Sequence, residues 1–116
     1  MSVIKQQDII DSIADACQYI SYFHPEDFVT AMVEAYENEK SEAAKNALGQ
    51  ILINSKMCAL GHRPLCQDTG SVNIFVRVGL KANLELTKEL VDVLNEGVAK
   101  GYTNPDNTLR YSVVSD

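Results

Sequence analysis

A chain of 116 residues supports one small domain, and its 46% hydrophobic content is ordinary for a soluble globular core. The net charge of −6 argues against broad nucleic-acid binding, which needs clustered Lys and Arg, and leaves any acidic ligand to be met by a few placed arginines. Three cysteines, an odd number without a paired framework, fit reduced thiols better than secreted disulfides. No apolar run approaches the roughly 18 residues that cross a bilayer. The opening residues, Met1 to Asp8, lack a signal-peptide layout, so the cytoplasm is the expected compartment.

Ile9, Ile13, Cys17 and Ile20, with Ile10 and Ala14 beside them, recur at three- and four-residue intervals and predict a helix with Cys17 in its core face. His24-Pro25-Glu26-Asp27 interrupts that period. A proline followed by two acids suits a helix start, so a second helix is expected to carry Phe28, Met32 and Ala35. The polar stretch Glu37-Asn38-Glu39-Lys40-Ser41-Glu42 breaks it. Ala44, Leu48, Ile51, Leu52 and Ser55 then resume the helical period, and Gly61 is placed to close this third helix.

Beyond Gly70 the period changes. Val72, Ile74, Val76 and Val78 alternate with Asn73, Phe75 and Arg77, a two-residue period rich in β-branched side chains that predicts a strand. Asn83 is placed to cap a further helix whose stripe is Leu86, Leu90, Leu94 and Val98, with Gly101 just past its end. Turn formers fill Thr103-Asn104-Pro105-Asp106-Asn107, and Leu109-Arg110-Tyr111-Ser112-Val113-Val114 begins an extended segment. There is no repeat, low-complexity tract or linker. The expected fold is α+β (α/β), a helical N-terminal layer leading into a sheet with at least one packed helix, and no boundary is visible within residues 1–116.

Arg63-Pro64-Leu65-Cys66-Gln67-Asp68-Thr69-Gly70 concentrates a thiol, an amide, a carboxylate and a hydroxyl in consecutive residues between a helix end and the predicted strand. Pro64 cannot continue a helix and Gly70 permits a sharp turn, so these side chains project from a backbone-punctuated loop. A thiol in such a turn can ligate an iron-sulfur cluster or act as a nucleophile, whereas Cys17 and Cys58 sit in helical settings and read as inert. Cys58, His62 and Cys66 share a four-residue spacing. Pro64 breaks the helix that would align them, and a structural zinc normally takes four ligands, so zinc is not favoured. Asp68-Thr69-Gly70 also matches the catalytic turn of aspartic proteases, but that turn follows an apolar strand in an all-β fold, and here it follows a helix and a proline. His62 and Arg77 are assigned no catalytic role. Arg110 has the chemistry to grip a carboxylate through two parallel hydrogen bonds.

The Cys66-Gln67-Asp68-Thr69-Gly70 element, the alternating segment, the following helix and Leu109-Arg110-Tyr111-Ser112 together resemble the N-terminal part of class I, iron-sulfur-dependent fumarate hydratases. The same family includes the α subunit of L-tartrate dehydratase. The resemblance implies that Cys66 is one of three ligands of a [4Fe-4S] cluster acting as a Lewis acid in the reversible hydration of fumarate to (S)-malate. It further implies that Gln67 and Asp68 contact a small dicarboxylate substrate, that Asp68 has a catalytic role, and that Arg110 binds a substrate carboxylate. Thr69 and Gly70 would shape the turn. The other two cluster cysteines are expected beyond Asp116, so the chain is expected to be a segment of the catalytic domain, inactive alone and homodimeric when full-length. No nucleic acid or membrane partner is expected. Three other readings stand beside this one: a segment of an L-tartrate dehydratase, and, less favoured, a small aspartic protease using Asp68 or a non-catalytic helical interaction module in which Cys66 is incidental.

Overall fold

The computed structural model describes residues 2–66, 71–106 and Leu109. Its elements are β1 (Val3–Lys5), α1 (Gln6–Tyr22), α2 (Glu26–Asn38), α3 (Glu42–Gly61), β2 (Asn83–Glu85) and α4 (Leu90–Tyr102). The fold is α+β, as the sequence pattern implies, and the chain divides into two compact units: residues 1–19 with 67–116, and residues 20–66.

In the first unit β1 and β2 pair in parallel, with Val3 opposite Asn83, Ile4 opposite Leu84 and Lys5 opposite Glu85. Gln6 fastens the end of this pair, its Oε1 accepting from the Thr87 backbone N–H at 2.8 Å and from the Thr87 hydroxyl at 3.1 Å. Helices α1 and α4 then pack closely. Ile10, Ala14 and Cys17 are buried on α1, and Val93, Gly97, Gly101 and Tyr102 on α4. The two glycines, one turn apart, allow this approach: a Cβ at Gly97 would stand 2.6 Å from Ile13 Cβ, and one at Gly101 would stand 2.9 Å from the Ala14 carbonyl oxygen. Gln18 donates to the Gly101 carbonyl at 2.5 Å, and Lys100 pairs with Asp11 across the rim.

Here the observed pattern differs from the sequence reading. Gly101 lies inside the helix as a packing residue, and Asn83 opens a strand, with Glu89 at the N-cap position of α4. The predicted strand over Val72–Val78 is absent among the described residues; the segment makes no ladder, and Phe75 is 95% exposed. A strand needs a paired backbone as well as an alternating pattern, and among the described residues none pairs with this segment. Ile74 to Val78, with Ile4, Ile9, Ile13 and Leu94, line a largely apolar groove of about 540 Å³.

In the second unit α2 lies on α3. All three predicted N-terminal helices form, but their buried faces are thinner than the periodicity suggests: Ile20 is 64% exposed and α2 buries no residue. Pro25 occupies the N-cap position of α2, with Glu26 and Asp27 in its first turn beside the helix's positive end. Ser41 caps α3, its hydroxyl accepting from the Ala44 N–H at 3.4 Å. Gly49 admits the Tyr36 ring, over which the Lys45 ammonium sits 4.9 Å from the centroid, and His24 hydrogen-bonds the Ser55 hydroxyl at 3.0 Å.

Candidate functional site

The site is the segment that leaves α3 and reaches Cys66, all within the second unit. Helix α3 ends one residue later than a glycine stop would place it: Gly61 is still helical, and His62 takes the left-handed conformation at φ 51°, ψ 54°. Histidine is among the residues that tolerate this region, and here its ring stacks on Tyr22, with centroids 5.5 Å apart and planes 2° from parallel. The backbone N–H groups of His62 and Arg63 both donate to the Cys58 carbonyl, which closes the helix in the manner of a left-handed C-cap.

Pro64 and Leu65 follow, and their backbone is held from two helices. The Leu65 N–H donates to the Ser21 carbonyl of α1 at 2.8 Å. Its carbonyl accepts from Asn54 Nδ2 of α3 at 3.0 Å. The single Cys58 S–H is shared between the Pro64 carbonyl at 3.4 Å and Asn54 Oδ1 at 3.6 Å, which places the amide that grips Leu65 beside the same thiol. Cys66 comes next and is exposed.

The three thiols thus occupy different settings. Cys17 is 4% exposed and Cys58 6% exposed, both within helices. Burial pushes the Cys17 thiol up from its ordinary range. Burial likewise raises the Tyr22 phenol, partly opposed by the nearby Arg63 guanidinium. Of the sequence-predicted site residues the structure describes Cys66 alone; Gln67, Asp68 and Arg110 lie outside the described residues, as do Thr69 and Gly70. Among the described residues no group of three or more His, Cys, Asp and Glu side chains could hold a metal ion, and the Cys58, His62, Cys66 spacing does not build one.

Sequence reasoning missed Asn54 and, after setting aside a zinc role for Cys58, read it as an inert buried thiol. Their signal was positional: four residues apart on one helix, they share the face over which the chain returns after Pro64. The four helices among the described residues are incompatible with an all-β aspartic protease. No described helix is long and apolar enough to cross a membrane.

Comparison with known proteins identifies the lineage. The profile of a family described as "Fumarate hydratase (Fumerase)" matches residues 10–116. A relative from Methanocaldococcus jannaschii, named "Putative L(+)-tartrate dehydratase subunit alpha", is 35% identical over 92 residues, covering 79% of this chain. The chain spans 32% of that relative's length. With the family profile covering all but its first nine residues, this chain belongs to the fumarate hydratase (Fumerase) family.

Proposed function

We propose that this chain forms part of a cytoplasmic iron-sulfur hydro-lyase that reversibly hydrates fumarate to (S)-malate and works as a homodimer. The match of residues 10–116 to the fumarate hydratase family carries the reading. The turn supports it chemically, because Cys66 presents an exposed thiol on a backbone fixed by hydrogen bonds from two helices. Such a thiol fits one corner of a [4Fe-4S] cluster. Cys17 and Cys58, buried inside helices, do not fit the other corners.

When bound, a cluster with one iron lacking a protein ligand would supply a Lewis acid at the substrate hydroxyl and carboxylate. The chain's own part is binding and proton handling. Hydration adds a hydroxyl to one alkene carbon and a proton to its neighbour, so the site must hold two carboxylates and orient one hydroxyl. In this reading Gln67 donates through its amide to a carboxylate oxygen, and Arg110 grips a carboxylate with paired guanidinium hydrogen bonds. Asp68 accepts a hydrogen bond from the substrate hydroxyl, or relays a proton between the attacking water and solvent, while a separate acid delivers the proton that the neighbouring carbon gains. These cationic and amide donors answer the charge problem, since a chain of net charge −6 has no general attraction for a dianion.

The name of the M. jannaschii relative favours a second reading, dehydration of L(+)-tartrate by the same constellation. Both substrates present two carboxylates beside a hydroxyl-bearing or hydroxyl-accepting carbon. The test is an anaerobic assay of the natural protein containing this chain, with each substrate offered separately. Malate formed from fumarate at a specificity constant at least tenfold above that for tartrate supports the first reading, and the reverse ratio supports the second. Turnover of neither, in protein that carries its iron, would overturn both.

A further inference from the structure

We propose that Asn54 and Cys58 are positioning residues for Cys66, fixing the peptide that precedes it so that the thiol is presented in one geometry before any cluster binds. The inference rests on the reading of Cys66 as a cluster ligand.

The argument is an accounting of backbone hydrogen bonds. A loop residue next to a metal ligand is usually free to sample several conformations, since its amide groups can bond to water. Leu65 is not free in that way. Its N–H is taken by the Ser21 carbonyl at 2.8 Å and its carbonyl by Asn54 Nδ2 at 3.0 Å, so one helix holds each side of the residue. Pro64 adds a locked φ, and its carbonyl accepts from the Cys58 thiol at 3.4 Å. Asn54 has one further polar atom, Oδ1, and the same thiol lies 3.6 Å from it. That contact orients the amide with its nitrogen toward Leu65. Asn54 and Cys58 thus form one small network on α3, and every bond in it ends on the backbone just before Cys66 or on the side chain that holds that backbone.

Preorganised ligands are held by supporting hydrogen bonds, and loss of a supporting partner typically weakens metal binding by about 10- to 100-fold. The decisive variant is Asn54→Asp, which keeps size and nearly the same helix propensity but removes the donor and faces the Leu65 carbonyl with a carboxylate. Two measurements separate this proposal from the function reading. In the 116-residue chain, amide hydrogen exchange followed by NMR should show the Leu65 N–H, bonded to the Ser21 carbonyl, exchanging roughly tenfold faster in Asn54→Asp, with α2 amides unchanged, because a residue released at its carbonyl opens its remaining bond more often. Asn54→Gln, which retains an amide donor, and Cys58→Ser, which retains a hydroxyl donor, should stay closer to the parent chain than Asn54→Asp does. In the cluster-loaded natural protein, Asn54→Asp should lose its iron-sulfur absorbance in air several-fold faster than the parent. Cys66→Ser should not load. Unchanged Leu65 exchange in Asn54→Asp overturns the proposal, and so does parent-like cluster persistence in that variant when Cys66→Ser fails to load. Normal loading of Cys66→Ser instead overturns the ligand reading itself, while the exchange experiment still judges whether Asn54 holds the turn.

Discussion

Gly97 and Gly101 show how a single absent methyl group decides packing. Alanine in a helix interior is favoured over glycine by about 1 kcal/mol, so each replacement would stabilise an isolated α4. In the folded chain the new Cβ at Gly97 would meet Ile13 Cβ at 2.6 Å and the Ile10 carbonyl at 3.0 Å. At Gly101 it would meet the Ala14 carbonyl at 2.9 Å and Ala14 Cα at 3.1 Å, atoms that cannot turn aside. Overpacking of this kind costs about 1–3 kcal/mol and outweighs the propensity gain. We predict that Gly101→Ala lowers the urea midpoint. Gly49→Ala should raise it or leave it unchanged, because its nearest neighbour is the Tyr36 ring edge at 3.3 Å, on an exposed side chain that can swing away. Equal shifts of the same sign in the two variants would contradict this packing account. Charge behaves differently. The Lys100 ammonium holds the Asp11 carboxyl below its usual range, and Asp11 in turn raises Lys100. The lowered Asp11 contributes stability that is present above its unfolded value and lost as pH falls through the folded one. The raised Lys100 contributes stability lost as pH rises through its folded value. Both side chains are exposed, so salt should screen the pair and the effect should be small. Cys17 and Tyr22 are raised by burial, so the unfolded chain releases their protons first. Stability should therefore fall as pH climbs through the ordinary thiol range and beyond, and Cys17→Ala should flatten the first part of that decline in pH-dependent urea denaturation.

At the scale of elements, what the sequence disclosed depended on whether an element needs a distant partner. The three N-terminal helices were legible because their signals are local: the Pro25 start, the Ser41 cap and the three- and four-residue spacing. The pairing of Val3–Lys5 with Asn83–Glu85 was not legible. Each strand has three residues, and their partnership spans nearly the whole chain, so neither carries a readable period. Val72–Val78 errs in the opposite direction. Its alternation is stronger than that of either observed strand, yet no described residue pairs with it in a ladder, and Ile74, Phe75, Val76 and Val78 stay exposed. Asn54 escaped notice because a polar residue on a helix resembles a solvated one until the returning chain is placed over it. An exposed run of this composition is an aggregation hazard. We predict that Val76→Lys reduces self-association of the chain, read by light scattering at increasing concentration, without changing the helix signal in circular dichroism. Equal scattering from parent and variant would show that this segment does not mediate it.

For the whole molecule, two kinds of information divide the question. The family match assigns the lineage across residues 10–116, while the described geometry explains how one thiol of that lineage is brought to the surface on a fixed turn. Composition alone reached neither; it limited the classes of partner. The motif from Cys66 to Gly70 was readable because its residue types carry chemistry, but a sequence cannot display the hydrogen bonds that aim it. The central claim is that Cys66, and neither of the buried thiols, ligates an iron-sulfur cluster. The most direct measurement is the iron content of the natural protein after anaerobic reconstitution, compared among the parent, Cys66→Ser and Cys17→Ala. The account predicts full iron in the parent and in Cys17→Ala and loss of most of it in Cys66→Ser. Undiminished iron in Cys66→Ser would contradict it.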